Sequence, residues 1–98
     1  MNNGFDNVYD EMTHSFSNIE SMMGDLYSKL QTIPDNRELR DEILRLGDIG
    51  LGILDAQISL TESYADNMLK EQLLNKLESK RLTFKNALND TRGSGRGY

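Results

Sequence analysis

Glu11 and His14 stand three residues apart, so on a helix they share one face. Glu-x-x-His is the spacing with which helical bundles hold two-metal carboxylate centres. Such centres need two of these pairs and two further carboxylates from other helices. His14 is the only histidine, so one chain cannot supply the second pair, although two copies could. The expected reading is a solvent-facing pair beside the core, with no metal and no cofactor. The lone histidine also removes most acid–base and nucleophile arrangements. Serines are present, but a Ser–His–Asp triad needs a cleft that a short helical chain does not offer. No catalytic residue is expected, and the chain reads as a non-enzyme.

GDIGLG, residues 47–52, is glycine-rich enough to raise phosphate binding. Its G-x-x-G-x-G order reverses the dinucleotide fingerprint, no strand pattern precedes it, and no Gly-Lys-Ser/Thr follows. Asp48 and Asp55 flank it and would repel phosphate. A second possibility is nucleic acid. Lys76, Lys80, Arg81, Lys85, Arg92 and Arg96 are interleaved with Phe84 and end at Tyr98, and RGSGRGY has the look of an arginine–glycine fragment. Such modules usually carry many more arginines, so a solvated helix face with a frayed end is the plainer expectation. Asn89-Asp90-Thr91 matches the glycosylation triplet, but the polar, acidic start MNNGFDNVYDEM has no secretory pattern. Met12 and Met23 fall in an apolar seam and read as core filling rather than as an adaptable binding surface.

The elements that position these residues are helices. The chain has 98 residues, no cysteine and one proline, Pro34. It is long enough for one domain with a modest core, and it has neither a disulfide framework nor thiolate metal sites. No stretch approaches a membrane span, and a cytoplasmic location is expected. Phe5, Tyr9, Met12, Phe16, Ile19, Met23, Leu26, Leu30 and Ile33 alternate four and three apart, which predicts a helix over about 5–33 with one packing seam. Gly24 lies beside that seam and marks a close contact or a mild bend. TIPDN then breaks the helix. Asp35 or Asn36 can cap the next one, with Glu38 placed for a capping box after Asp35. So tight a link predicts an antiparallel hairpin.

The second helix, about 37–62, has two seams. One holds Leu39, Ile43, Leu46, Gly50, Ile53, Gln57, Leu60 and Tyr64; the other holds Leu44, Gly47, Leu51, Leu54 and Ile58. A helix apolar over so much of its circumference is central. Gly47 and Gly50 sit at the midpoints of the two seams, where a missing side chain lets another helix backbone come close. Gly52 points instead along a third strip with Ala56, Ser59 and Ser63. The third helix, about 66–89, carries Leu69, Leu73, Leu77, Phe84, Ala87 and Leu88, with Lys80 inside the stripe and snorkelling. Its phase does not continue that of the second helix. A turn within residues 60–67 is expected, capped by Ser59 and Glu62 or by Ser63 and Asp66. One helix of about 50 residues is the alternative.

The expected architecture is all-α: an antiparallel helical hairpin extended to an elongated three-helix bundle over residues 1–90, with 91–98 a flexible Gly/Arg tail. An elongated array buries little per residue, so a homo-oligomer is expected. Leu44, Gly47, Gly50, Leu51, Leu54 and Ile58 are the candidate helix-crossing or oligomer-interface residues. Charge is uneven: residues 1–60 carry eleven acidic and four basic side chains, residues 61–98 five and seven. Asp41, Glu42, Asp48 and Asp55 are the candidate acidic partner surface. Lys80, Arg81, Lys85, Arg92 and Arg96 are the candidate nucleic-acid contacts. The leading functional expectation is a non-enzymatic adaptor, assembly factor or inhibitor that binds a protein partner, a class common among virus- and phage-encoded regulators. A nucleic-acid-associated protein comes second, and an oligomer that sequesters a small ligand comes third.

Overall fold

Pro34 ends the first helix. It disfavours helical backbone at Ile33, and α1 (Asn3–Thr32) stops just before it. Asn36 starts the second. Its backbone is extended, and its side-chain oxygen accepts a hydrogen bond from the Leu39 N–H at 3.0 Å, which caps α2 (Arg37–Tyr64). Because the cap is Asn36, the third helical position is Leu39, and the anticipated Asp35–Glu38 capping box has no place. Arg40, one turn on, donates to the Pro34 carbonyl and ties the turn to α2.

Neither glycine nor proline makes the second break. Ala65 takes an extended conformation (φ −74°, ψ 147°) while its N–H still closes the last turn of α2 onto the Thr61 carbonyl. The Asp66 carbonyl then accepts from Leu69 and Lys70 N–H groups and opens α3 (Asn67–Ser94). The break excludes one continuous helix. It falls within the anticipated span of residues 60–67, at Ala65 and Asp66; Ser59, Glu62 and Ser63 all lie within α2, so of the anticipated capping residues only Asp66 stands at the break. The structure, a computed structural model, describes residues 3–94 of the chain.

The three helices run up, down and up. Gln57 of α2 reaches Thr13 and Tyr9 of α1, whereas Asp55 of α2 meets Arg81 of α3. α2 is the central helix. Among the described residues the backbones of α1 and α3 both pack on it and stay more than 8 Å apart from each other, Cα to Cα. The bundle measures 51 × 21 × 15 Å, with a radius of gyration of 15.7 Å. A compact chain of about this length has a radius near 13 Å, so the shape is elongated.

Two apolar clusters fill the space between the helices. One joins Ile19 and Met23 of α1 to Ile43 of α2 and Leu88 of α3. The other joins Phe16, Leu54 and Leu77, one from each helix. The first-helix seam is therefore the core face, except at Ile33, which lies past the helix end and is exposed. Side chains alone bridge α1 and α3. The Phe16 and Phe84 rings stand 5.0 Å apart at 60°, and Lys80 lays its ammonium 4.4 Å from the centre of the Phe16 ring. That contact is where the anticipated snorkelling of Lys80 ends.

α3 runs five residues past its anticipated end at Asn89. Thr91 is buried within it: its hydroxyl donates to the Ala87 carbonyl at 3.0 Å and accepts from the Tyr27 hydroxyl at 2.5 Å. Residues 91–94 of the anticipated tail are thus helix, and residues 95–98 lie outside the described residues. Leu69 and Ala87, counted on the core face from spacing alone, are exposed.

Candidate interaction surfaces

The two seam-centre glycines are sockets for side chains of α3. A Cβ built on Gly47 would fall 2.7 Å from Leu88 Cδ1 and closer still to Cδ2. One on Gly50 would fall 2.8 Å from Phe84 Cζ and 3.3 Å from Phe16 Cε1. Ordinary carbon contacts lie at about 3.5–4.0 Å, so neither position has room for a methyl group. The anticipated close approach exists, but side chains make it rather than a helix backbone. Gly24 and Gly52 have nothing within 4 Å of such a Cβ, so Gly24 marks no crossing.

Of the candidate crossing residues, Gly47, Gly50 and Leu54 are buried, and Leu44, Leu51 and Ile58 are half-buried. α3 of the same chain covers this seam. Glu11 and His14 are both exposed, and among the described residues no three His, Cys, Asp or Glu side chains converge as a metal site. No described helix is long and apolar enough to cross a membrane.

The charged candidates largely engage one another. Asp55 accepts from Arg81 Nε at 2.6 Å, and Asp48 lies 3.7 Å from Arg92. Glu42 pairs within its own helix with Arg45, and Asp41 is exposed. The hydrogen bond and charge of Asp55 hold the Arg81 guanidinium above its ordinary pKa. Two of the proposed acidic-surface residues thus neutralise two of the proposed nucleic-acid contacts across the α2–α3 junction. Lys80 is spent on Phe16, Lys85 is exposed, and Arg96 lies outside the described residues.

Comparison with protein-family models, with curated proteins and with solved structures gives no match.

The feature that spacing did not single out is the outer face shared by α1 and α2, on the side of that pair away from α3. Four large apolar side chains stand exposed along it: Val8 (41%), Met22 (45%), Ile49 (50%) and Tyr64 (60%). A groove of about 440 Å³ runs between the helices at its middle, lined by Val8, Glu11, Met12, Ser15, Ile49, Gly52, Ile53 and Ala56. A second, of about 280 Å³, continues from Val8 to Gly4, Phe5, Leu60 and Tyr64. Glu11 is the one charged residue lining either groove. The strip of small residues from Gly52 to Ser63 was the legible trace of this face. Val8, Ser15 and Met22, seven apart and outside the core seam, were the other.

A third groove, of about 450 Å³, opens at the opposite end between α1, the Pro34 turn and α3. Tyr27, Leu30, Gln31, Arg40, Ala87, Asp90 and Thr91 contribute to its walls. Arg40 Nε is buried there without a partner.

Inside the α1–α2 junction, Gln57 is buried. Its amide donates to Thr13 Oγ1 at 2.9 Å and to the Tyr9 carbonyl at 3.2 Å, while its own oxygen has no partner. Burial, with a smaller contribution from the Asp10 charge, raises the Tyr9 phenol above its ordinary pKa.

Proposed function

We propose that this chain is a non-enzymatic helical interaction protein, an adaptor, assembly factor or inhibitor that acts through protein–protein contacts and as a homo-oligomer. One observation carries the reading. α2 packs against α1 and α3 on two sides and still presents Ile49, Gly52 and Ala56 to solvent beside Val8 and Ser15 of α1. Exposed apolar side chains scattered singly need no explanation, but a contiguous stripe with a single carboxylate in its grooves is the usual mark of a binding surface. Two parallel ridges with a groove between them suit a helical partner. The cysteine-free composition fits a cytoplasmic setting.

The nucleic-acid reading has less support, because Arg81 and Arg92 are already paired with carboxylates of α2. The small-ligand reading, an oligomer that holds a ligand between subunits at the glycine region, has less support, because Leu88 and Phe84 of the same chain occupy the space above Gly47 and Gly50. Affinity capture from the native host with mass spectrometry, run beside salt titrations of duplex and single-stranded DNA and RNA, tests the proposal. A protein partner retained by the wild type and lost with Val8→Asp supports it. Nucleic-acid binding that falls with salt and disappears with Lys80→Glu and Lys85→Glu overturns it in favour of the second reading.

A further inference from the structure

We infer that the outer α1–α2 face is covered by a second copy of this chain, packed antiparallel about a two-fold axis that passes beside Ser15 and Gly52. The inference rests on the interaction-protein reading and names the occupant of that surface.

A two-fold interface must be self-complementary, and this face is. Along α1 the outward residues Val8, Ser15 and Met22 are seven apart, with Ser15 at the midpoint. Along α2, Ile49 and Ala56 are also seven apart, and their midpoint lies at Gly52–Ile53. The two midpoints stand at one level of the bundle. Gln57 bonded to Thr13, and Gly50 against Phe16, fix the level at which each helix passes the other, and by the same offset Ser15 passes Gly52. Both residues line the same groove. A single axis across the helices at this level therefore serves both. It sets Val8 of one copy on Met22 of the other, and it sets the bulky Ile49 on the small Ala56. Gly52, which has open space above it, lies where the two central helices cross and lets them approach closely.

Charge agrees with this register. Glu11, the one charged residue in the grooves, falls at the level of Ile19, beside the amide of Asn18, and not opposite another carboxylate. Area agrees as well. The face from residue 4 to 26 on α1, with its α2 counterpart, is about 33 Å long at ~1.5 Å rise per residue and about 20 Å wide. It gives on the order of 700 Å² per copy, close to the ~800 Å² of a standard stable interface.

Sedimentation equilibrium of the full chain at about 100 µM is the first measurement, and it should return twice the 11.2 kDa chain mass. Ile49→Glu, at a residue half exposed within one copy, should keep its helical circular dichroism and return a single-chain mass. The chain has no cysteine, so Ser15→Cys places a lone thiol beside the axis. Mild oxidation should convert most of it to covalent dimer, whereas Ser28→Cys, on an exposed position away from this face, should cross-link at least tenfold less. A monomeric wild type overturns the inference, as does a dimer that survives Ile49→Glu or cross-links equally through both cysteines. Failure of the dimer is separable from failure of the interaction reading: a wild type that is monomeric yet retains a protein partner lost with Val8→Asp overturns the dimer and leaves the reading standing, whereas a chain of twice the mass that retains no partner does the reverse.

Discussion

Gly47→Ala should destabilise the protein although alanine is the better helix former. In an open helix interior the substitution gains roughly 1 kcal/mol. At Gly47 the added methyl meets Leu88 Cδ1 at 2.7 Å and Cγ at 3.0 Å, with Cδ2 nearer still. Relieving that contact requires Leu88 to withdraw by on the order of 1 Å to reach ordinary carbon separations. Leu88 is fully buried among Ile19, Met23 and Ile43, so it has no free space to enter. Overpacking of this kind costs about 1–3 kcal/mol, which leaves a net loss of about 1 kcal/mol. Gly24→Ala is the internal control. Nothing lies within 4 Å of its Cβ, so it should keep its gain of roughly 1 kcal/mol. The two variants should therefore melt on opposite sides of the wild type, separated by about 10 °C on a domain of this size. Urea and thermal unfolding followed at 222 nm, at one fixed protein concentration, read the difference. A double-mutant cycle with Leu88→Ala assigns it: the methyl at residue 47 should become favourable once Leu88 is truncated. If Gly47→Ala were as stable as Gly24→Ala, the socket argument would be refuted.

Three further outcomes follow from the local chemistry. Gln57→Met removes a buried acceptor that has no partner together with the two bonds its amide donates to Thr13 and the Tyr9 carbonyl; gain and loss are each about 1–2 kcal/mol, so it should be close to neutral, and a loss above about 2 kcal/mol in urea unfolding would contradict the account. Asn36→Ala deletes the side-chain bond to Leu39 N–H and should cost about 1 kcal/mol, with Asn36→Asp retaining most of it. Tyr9 should ionise above the ordinary phenol value in an absorbance titration at 295 nm, and Tyr9→Phe should delete that late step. Its folded-state pKa is raised, so its contribution to stability is complete below the unfolded value near 10 and is lost as pH climbs through the folded value. A titration curve unchanged in shape by Tyr9→Phe would count against that assignment.

The helices were legible because their signals are local. Four–three spacing from Phe5 to Leu30, a lone proline at position 34 and a change of apolar phase after residue 60 each constrain the chain within a few turns. The central place of α2 was legible too, since only a middle helix can use two seams. What escaped depends on partners distant in sequence. Thr91 looks like the start of a polar tail until Tyr27 is found 2.5 Å away. Arg81 and Arg92 look like free cations until α2 brings Asp55 and Asp48 beside them. Leu69 keeps the period of its helix, but nothing covers it at the end of the bundle. Periodicity reports which face is apolar, not how far along that face the cover extends. The outer α1–α2 face was obscured for a related reason: its middle includes Gly52, Ala56 and Ser15, which carry little hydropathy and register only as small.

The wide separation of the α1 and α3 backbones has a consequence for how the molecule comes apart. Every close backbone packing joins helices adjacent in the chain, so no segment is held by elements both before and after it except α2. α3 can unzip from its far end, giving up the Phe84 and Leu88 sockets and two exposed ion pairs, while the α1–α2 hairpin keeps its own junction. Amide exchange should accordingly be graded by helix, fastest in α3 and slowest in the middle of α2, where release requires both neighbours to have left.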